Sequence, residues 1–158
     1  MEERALELIQ AAGLKRYEVS NFARPGRECR HNQATWRGAD YLALGPGAHG
    51  HLQGARWAWL AGAGAYARAV EQGREPQAFR EELTPQSRGL ELFMLGLRTT
   101  EGVDLSAVDR LVSGGLKRKW GRALAEIQAK GWARLKGNRL IPTPRGLAMA
   151  DAAAALFA

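Results

Sequence analysis

Residues 84–97 read TPQSRGLELFMLGL. Thr84 offers a capping hydroxyl, and Pro85 is a first helical residue that needs no N–H partner. Leu90, Phe93, Met94 and Leu97 follow at i, i+3, i+4 and i+7, the period of a helix with one buried face. Working downstream, Gly102-Val103 ends this helix. Asp104 or Ser106 caps a short second helix running to Leu111 or Val112, and Ser113-Gly114-Gly115 forms a turn. Leu116, Trp120, Ala123, Leu124 and Ile127 line one face of a third helix that Gly131 stops. Residues 132–135 and 139–141 predict a hairpin across Lys136-Gly137-Asn138. Thr143 caps a last, Ala-rich helix. Three helices and a two-stranded wing predict a small, mostly helical, winged-helix-like domain.

Upstream the pattern differs. Residues up to Ala12 predict a helix stopped by Gly13, and Lys15 to Phe22 predict a strand, together half of an α/β repeat. Residues 23–40 read as irregular around Pro25-Gly26. Tyr41 to Leu44 is a short apolar run ahead of Gly45-Pro46, which predicts a buried strand ending in a loop, GPGAHG. A helix is expected from about Ala63. Residues 73–84 form a charged, Pro-containing connection. The expected fold class is α+β, with a first domain over 1–75 and a second over 76–158.

Composition narrows the chemistry. A chain of 158 residues with 46% apolar and 25% charged side chains is long enough to bury a real core. Its single cysteine excludes an internal disulfide, and it excludes any iron–sulfur or zinc site built from several cysteines of this chain. The sequence predicts no secretory signal and no apolar run of membrane-spanning length, so a cytoplasmic location is expected. The net charge of +7 is spread evenly over both halves. It suits anionic partners, but an Arg-rich composition produces it equally well.

The one cysteine and all three histidines fall within residues 29–51. His31 is a candidate metal ligand, since neutral imidazole binds iron and zinc and serves as a proximal haem ligand. Trp36 offers an indole face to cover a flat ring, Asn32 a side chain to orient the imidazole, and Arg30 and Arg37 guanidiniums for carboxylates. A loop His and Trp that simply pack would look the same. Cys29 is a weaker candidate ligand. In an extended segment it would face the same way as His31; a small packed cysteine is the alternative. Gly45 and Gly47 allow close backbone approach to a ligand, with His49 alongside. Positions 45, 47 and 50 match the spacing of a dinucleotide fingerprint. No following helix is predicted, so that reading is rejected. Lys117, Arg118, Lys119 and Arg122 crowd the start and outer face of the third helix, where a nucleic-acid-binding module would present its cations. A solvated face is the competing reading. No Ser/His/Asp arrangement has a spacing that suits a hydrolase.

The ordered motifs Tyr17-Glu18-Val19-Ser20-Asn21-Phe22-Ala23-Arg24-Pro25-Gly26, Cys29-Arg30-His31-Asn32, Trp36-Arg37-Gly38, Asp40-Tyr41-Leu42 and Gly45-Pro46-Gly47-Ala48-His49-Gly50 closely resemble the HemW family. Gly102-Val103-Asp104-Leu105 and Thr143-Pro144-Arg145-Gly146 extend the resemblance over nearly the whole chain. These are radical S-adenosylmethionine proteins formerly classed with oxygen-independent coproporphyrinogen III oxidases. The resemblance implies the C-terminal portion of a partial (β/α) radical-SAM barrel followed by a winged-helix-like domain. It implies haem or porphyrin as ligand, haem-accepting apoproteins as partners, and His31 as ligand to haem iron within a His-Asn-x-x-Tyr-Trp motif. Here Thr35 replaces the Tyr. The family also carries a Cys-x-x-x-Cys-x-x-Cys motif for a [4Fe–4S] cluster used with S-adenosylmethionine. One cysteine cannot supply it, so this chain by itself is expected to lack radical chemistry. The runner-up readings are an inactive remnant of a porphyrin-synthesis oxidase and, last, a nucleic-acid-binding module. Barrel strands without neighbours also predict self-association through residues 1–50.

Overall fold

The computed structural model describes residues 2–157. It divides into two compact units, one holding residues up to Gly38 and from Gly89 onward, the other Ala39–Arg88. Following the chain, α1 (Glu2–Ala11) ends at Gly13, as its sequence predicts. Next, β1 (Lys15–Arg16) and β2 (Phe22–Ala23) pair antiparallel, with Arg16 opposite Phe22. The single strand expected over 15–22 is therefore a small hairpin. The chain reverses because Glu18 Oε1 accepts the Ser20 N–H at 3.1 Å, a local bond that competes with a continuous ladder. Glu18 bridges to Thr99 instead.

Within the segment expected to be irregular over 23–40, residues 24–29 and 37–40 are so, but Arg30–Trp36 form helix α2. Between Pro25-Gly26 and Gly38 the sequence contains no breaker, and Cys29 enters the helix with an extended backbone. The expected Cys29–His31 alignment along an extended segment is thereby lost.

In the second unit, Tyr41–Leu44 is not a buried strand. Tyr41 makes one bridge with His51, and Ala43 is buried, while Leu42 is 67% and Leu44 85% exposed. An extended chain turns alternate side chains to opposite faces, so only half of an apolar run can point inward. Strands β3 (His49–Leu52) and β4 (Ala55–Trp59) form a hairpin across Gln53-Gly54, both at positive φ. This is the two-residue turn whose twist matches that of the flanking strands. After α3 (Ala63–Glu71), which starts where expected, β5 (Gln77–Glu82) pairs with β4 to give the sheet order β3-β4-β5. Position 75/76 lies between α3 and β5, both within this unit. The β4–β5 ladder ties residues 77–82 to what precedes them.

Helix α4 (Pro85–Gly96) begins at the end of the second unit and continues into the first. Its cap is as predicted: Thr84 Oγ1 accepts the Ser87 N–H at 3.1 Å. Val103–Asp104 forms β6, and Asp104 caps α5 (Leu105–Asp109) by accepting the Ser106 and Ala107 N–H groups. Helix α6 (Leu116–Ala129) bends at Trp120. Strands β7 (Ala133–Lys136) and β8 (Arg139–Pro142) make the predicted hairpin. Thr143 Oγ1 accepts the Gly146 N–H and caps α7 (Pro144–Ala148), and α8 (Ala150–Ala155) follows. The sheet has three strands, β6-β8-β7, because Val103 and Asp104 add to the free edge of β8. Every pairing between these named strands is antiparallel.

The core of the first unit centres on Phe93. Its ring stacks on Phe157 at 4.2 Å and meets Trp120 edge-on at 5.1 Å. Val108, Ile127 and Leu140 are wholly buried around it.

Candidate functional site

Helix α2 distributes its side chains by the 3.6-residue turn. Gln33, Trp36 and Arg37 lie at i, i+3 and i+4 on the side that lines a cleft of about 450 Å³ in the first unit. Tyr17, the α4–β6 loop and Arg139 complete its wall, and Leu92 and Val103 supply apolar surface. The volume falls within the range of small-ligand sites. His31 sits two residues before Gln33, which by helical geometry is well round the helix from the cleft. It is exposed, and its ring makes no hydrogen bond among the described residues. Asn32 is half-buried and accepts the Cys29 thiol at 3.4 Å, so Cys29 and Asn32 are joined to one another. Thr35, where the family motif has Tyr, turns its hydroxyl back to the His31 carbonyl at 3.1 Å.

The strongest electrostatic feature of the cleft is Arg37 against Glu101. Arg37 Nε donates to Oε2 at 3.1 Å and Nη2 to Oε1 at 2.5 Å, a two-point contact. The Arg37 hydrogen bond holds the Glu101 carboxyl below its ordinary range. Partial burial opposes it, and the charges of Arg37 and Arg139 add to the lowering. The same bond raises Arg37. Arg139 is anchored by donating to the backbone carbonyls of Glu101 and Gly102. Nothing in the spacing of the sequence joins position 37 to 101 or 139.

Gly45, Gly47 and His49 belong to the second unit. Gly45 and Gly47 take φ of +89° and +71°, as a tight loop requires. The Gly47 N–H donates to the Leu60 carbonyl and the Ala48 N–H to the Gly45 carbonyl, so both amides are engaged within the unit. His49 opens β3, exposed, with its ring 5.9 Å from that of Phe79. A strand, not a helix, follows this glycine loop.

Sequence reasoning passed over two buried groups. His51 is 5% exposed, stacked on Tyr41, with Nδ1 2.9 Å from Asp40 Oδ1 and Nε2 3.2 Å from Arg88 Nη1. A guanidinium only donates, so Nε2 accepts and Nδ1 faces the carboxylate; that second contact is close but not well aligned for a hydrogen bond. His51 lies in β3, and the Tyr41–His51 bridge together with the Gln53 N–H donated to Asp40 Oδ1 brings the carboxylate to the ring. Glu18 is 1% exposed, and its Oε2 has no hydrogen-bond partner among the described residues. The Tyr-Glu-Val-Ser-Asn stretch holds the signal for it, a charge between β-forming residues. Among the described residues, no three His, Cys, Asp or Glu side chains converge as a metal-holding group. Lys117, Arg118, Lys119 and Arg122 are all exposed, the first three in the opening turn of α6.

A protein-family model, the HemN C-terminal domain, matches residues 83–149. The "Heme chaperone HemW" of Mycobacterium tuberculosis is 35% identical over 144 residues, covering 91% of this chain and 35% of that protein. The protein of the same name from Synechocystis is 40% identical over 101 residues, covering 61% of this chain and 24% of that protein. The chain thus spans about a third of the length of the first of these relatives. The solved structure of Escherichia coli coproporphyrinogen III oxidase HemN, a radical SAM enzyme, superposes with a TM-score of 0.76 over 98% of this chain and 39% of that one. At 15% identity that likeness concerns the fold alone.

Proposed function

We propose, from the premise that this chain corresponds to the part of a HemW-like protein that bears the HemN C-terminal domain, that it binds haem and passes it to haem-accepting apoproteins. In this reading residues 1–75 are the end of a radical-SAM barrel with its linker helix. Residues 76–158 are the HemN-type, winged-helix-like domain. His31 is the ligand of the haem iron, with Asn32 and Trp36 of the same helix as candidate ring contacts; Gly45, Gly47 and His49 are separate candidate ligand contacts within the second unit. Cys29 is a weaker candidate for the iron, since its thiol already meets Asn32.

The observation that carries the reading is His31 itself. A porphyrin supplies four nitrogens to its iron, so one protein imidazole suffices, and no multi-residue metal cluster is needed. An exposed ring whose nitrogens are uncommitted can approach such an iron without breaking a bond of the fold. The family's [4Fe–4S] cluster and S-adenosylmethionine are not assigned to residues of this chain, which has one cysteine.

Titration with haemin should shift the Soret band, and His31→Ala should weaken binding by on the order of tenfold or more and change the ligand-field bands. Soret position and affinity unchanged in the variant would remove His31 from the iron.

A further inference from the structure

We infer that the cleft beside Trp36 receives a flat, carboxylate-bearing ring, and that Glu101 occupies the arginine seat of this cleft as a built-in competitor until a ligand carboxylate replaces it. The inference rests on the porphyrin-binding reading for the identity of the ring. Its geometry is independent of His31 and of iron.

Two features of the wall select the ligand class. Trp36 and Tyr17 give aromatic surface, with Leu92 and Val103 beside them, which suits an apolar ring. Arg37 gives a guanidinium fork that matches a carboxylate in two parallel hydrogen bonds, and Arg139 adds a second positive charge. Glu101 already demonstrates that match, with both of its oxygens on Arg37. The remaining acids of the wall are committed elsewhere: Glu28 accepts the Gly26 N–H, and Asp104 caps α5.

The Glu101 side chain is a tenant that can leave. Arg37 is 57% and Glu101 48% exposed, so the pair is wetted and screened, and such pairs add little to folding. A ligand carboxylate attached to a ring on Trp36 carries its own apolar burial and therefore competes favourably. Arg139 stays in place during the exchange, because backbone carbonyls of residues 101 and 102 hold it. A porphyrin diacid would thus meet the Arg37 fork once Glu101 leaves it and, at Arg139, only the N–H groups that the two backbone carbonyls do not already take.

The test uses metal-free deuteroporphyrin, which has two carboxylates, and its dimethyl ester, each titrated against the full chain by porphyrin absorbance and fluorescence anisotropy. Glu101→Gln should tighten diacid binding several-fold, and Arg37→Ala should weaken it on the order of tenfold, as expected for loss of a charged hydrogen bond. Arg37→Lys should recover only part of the loss, since it keeps the charge without the fork. The dimethyl ester should bind alike to all four proteins. Diacid affinity unaltered in both Glu101→Gln and Arg37→Lys overturns the inference, as does an ester that responds like the diacid. With haemin, a response to His31→Ala but none to Arg37 or Glu101 substitutions sinks the cleft and spares the axial ligand; the reverse spares the cleft.

Discussion

At the scale of single residues, the Arg37–Glu101 pair makes a pH prediction. The carboxyl of Glu101 is held below its ordinary value of 4.5 in the folded protein, chiefly by the Arg37 hydrogen bond. A depressed carboxyl contributes stability that is present above its unfolded pKa and is lost as pH falls through the folded one. Arg37 is raised and stays charged throughout, so it adds no dependence of its own in acid. Both side chains are about half exposed, which caps the pair at roughly 1 kcal/mol. Urea unfolding should therefore show Glu101→Gln less stable than the parent by at most about 1 kcal/mol near neutrality. The difference should narrow as pH falls below the ordinary carboxyl range, close once Glu101 is protonated in the folded protein too, and shrink in molar salt. A gap that stays constant as the carboxyl is protonated in acid would assign the effect to packing. His31, Asn32 and Trp36 were legible as candidates because their residue types carry their chemistry. Glu101 and Arg139 were not, because a common ion pair between distant positions leaves no local trace.

At the scale of elements, the glycines separate backbone contact from mere flexibility. A Cβ on Gly146, in α7, would overlap the Trp132 carbonyl oxygen, which also accepts the Thr143 N–H. Backbone on both sides cannot yield, so Gly146→Ala should cost about 3 kcal/mol, the upper end of ordinary overpacking. Gly121, in α6, has nothing within 4 Å of its would-be Cβ. Gly121→Ala should instead stabilise by roughly 0.5–1 kcal/mol through helix propensity and reduced unfolded-state freedom. Thermal midpoints moving in the same direction for both variants would contradict this account of α6 and α7. Helices α4, α5 and α7 were readable from a side-chain cap and α6 from its period and its Gly131 stop, whereas β6 has only two residues and leaves no pattern. Helix α2 was missed for want of such marks: it has seven residues, no buried one and no side-chain cap. The run at 41–44 misled for the opposite reason, since its apolar residues face both ways.

At the scale of the whole molecule, Leu42 and Leu44 leave an apolar edge on the second unit. An exposed, extended apolar segment favours pairing with another copy. Sedimentation velocity should show association that grows with concentration, and Leu42→Ser with Leu44→Ser should reduce it. A clean monomer at high concentration would refute the expectation. By itself the sequence determined the helical C-terminal half, its caps and hairpin, and the family resemblance. These follow from local periodicity, capping and residue type. Only the tertiary structure decided that β4 and β5 bind residues 77–82 into the same unit as the glycine loop. It alone buried His51 against Asp40 and set Glu101 on Arg37 across 64 positions of chain. Those choices depend on which distant surfaces meet when the core closes, and on which charges are then left within reach of one another.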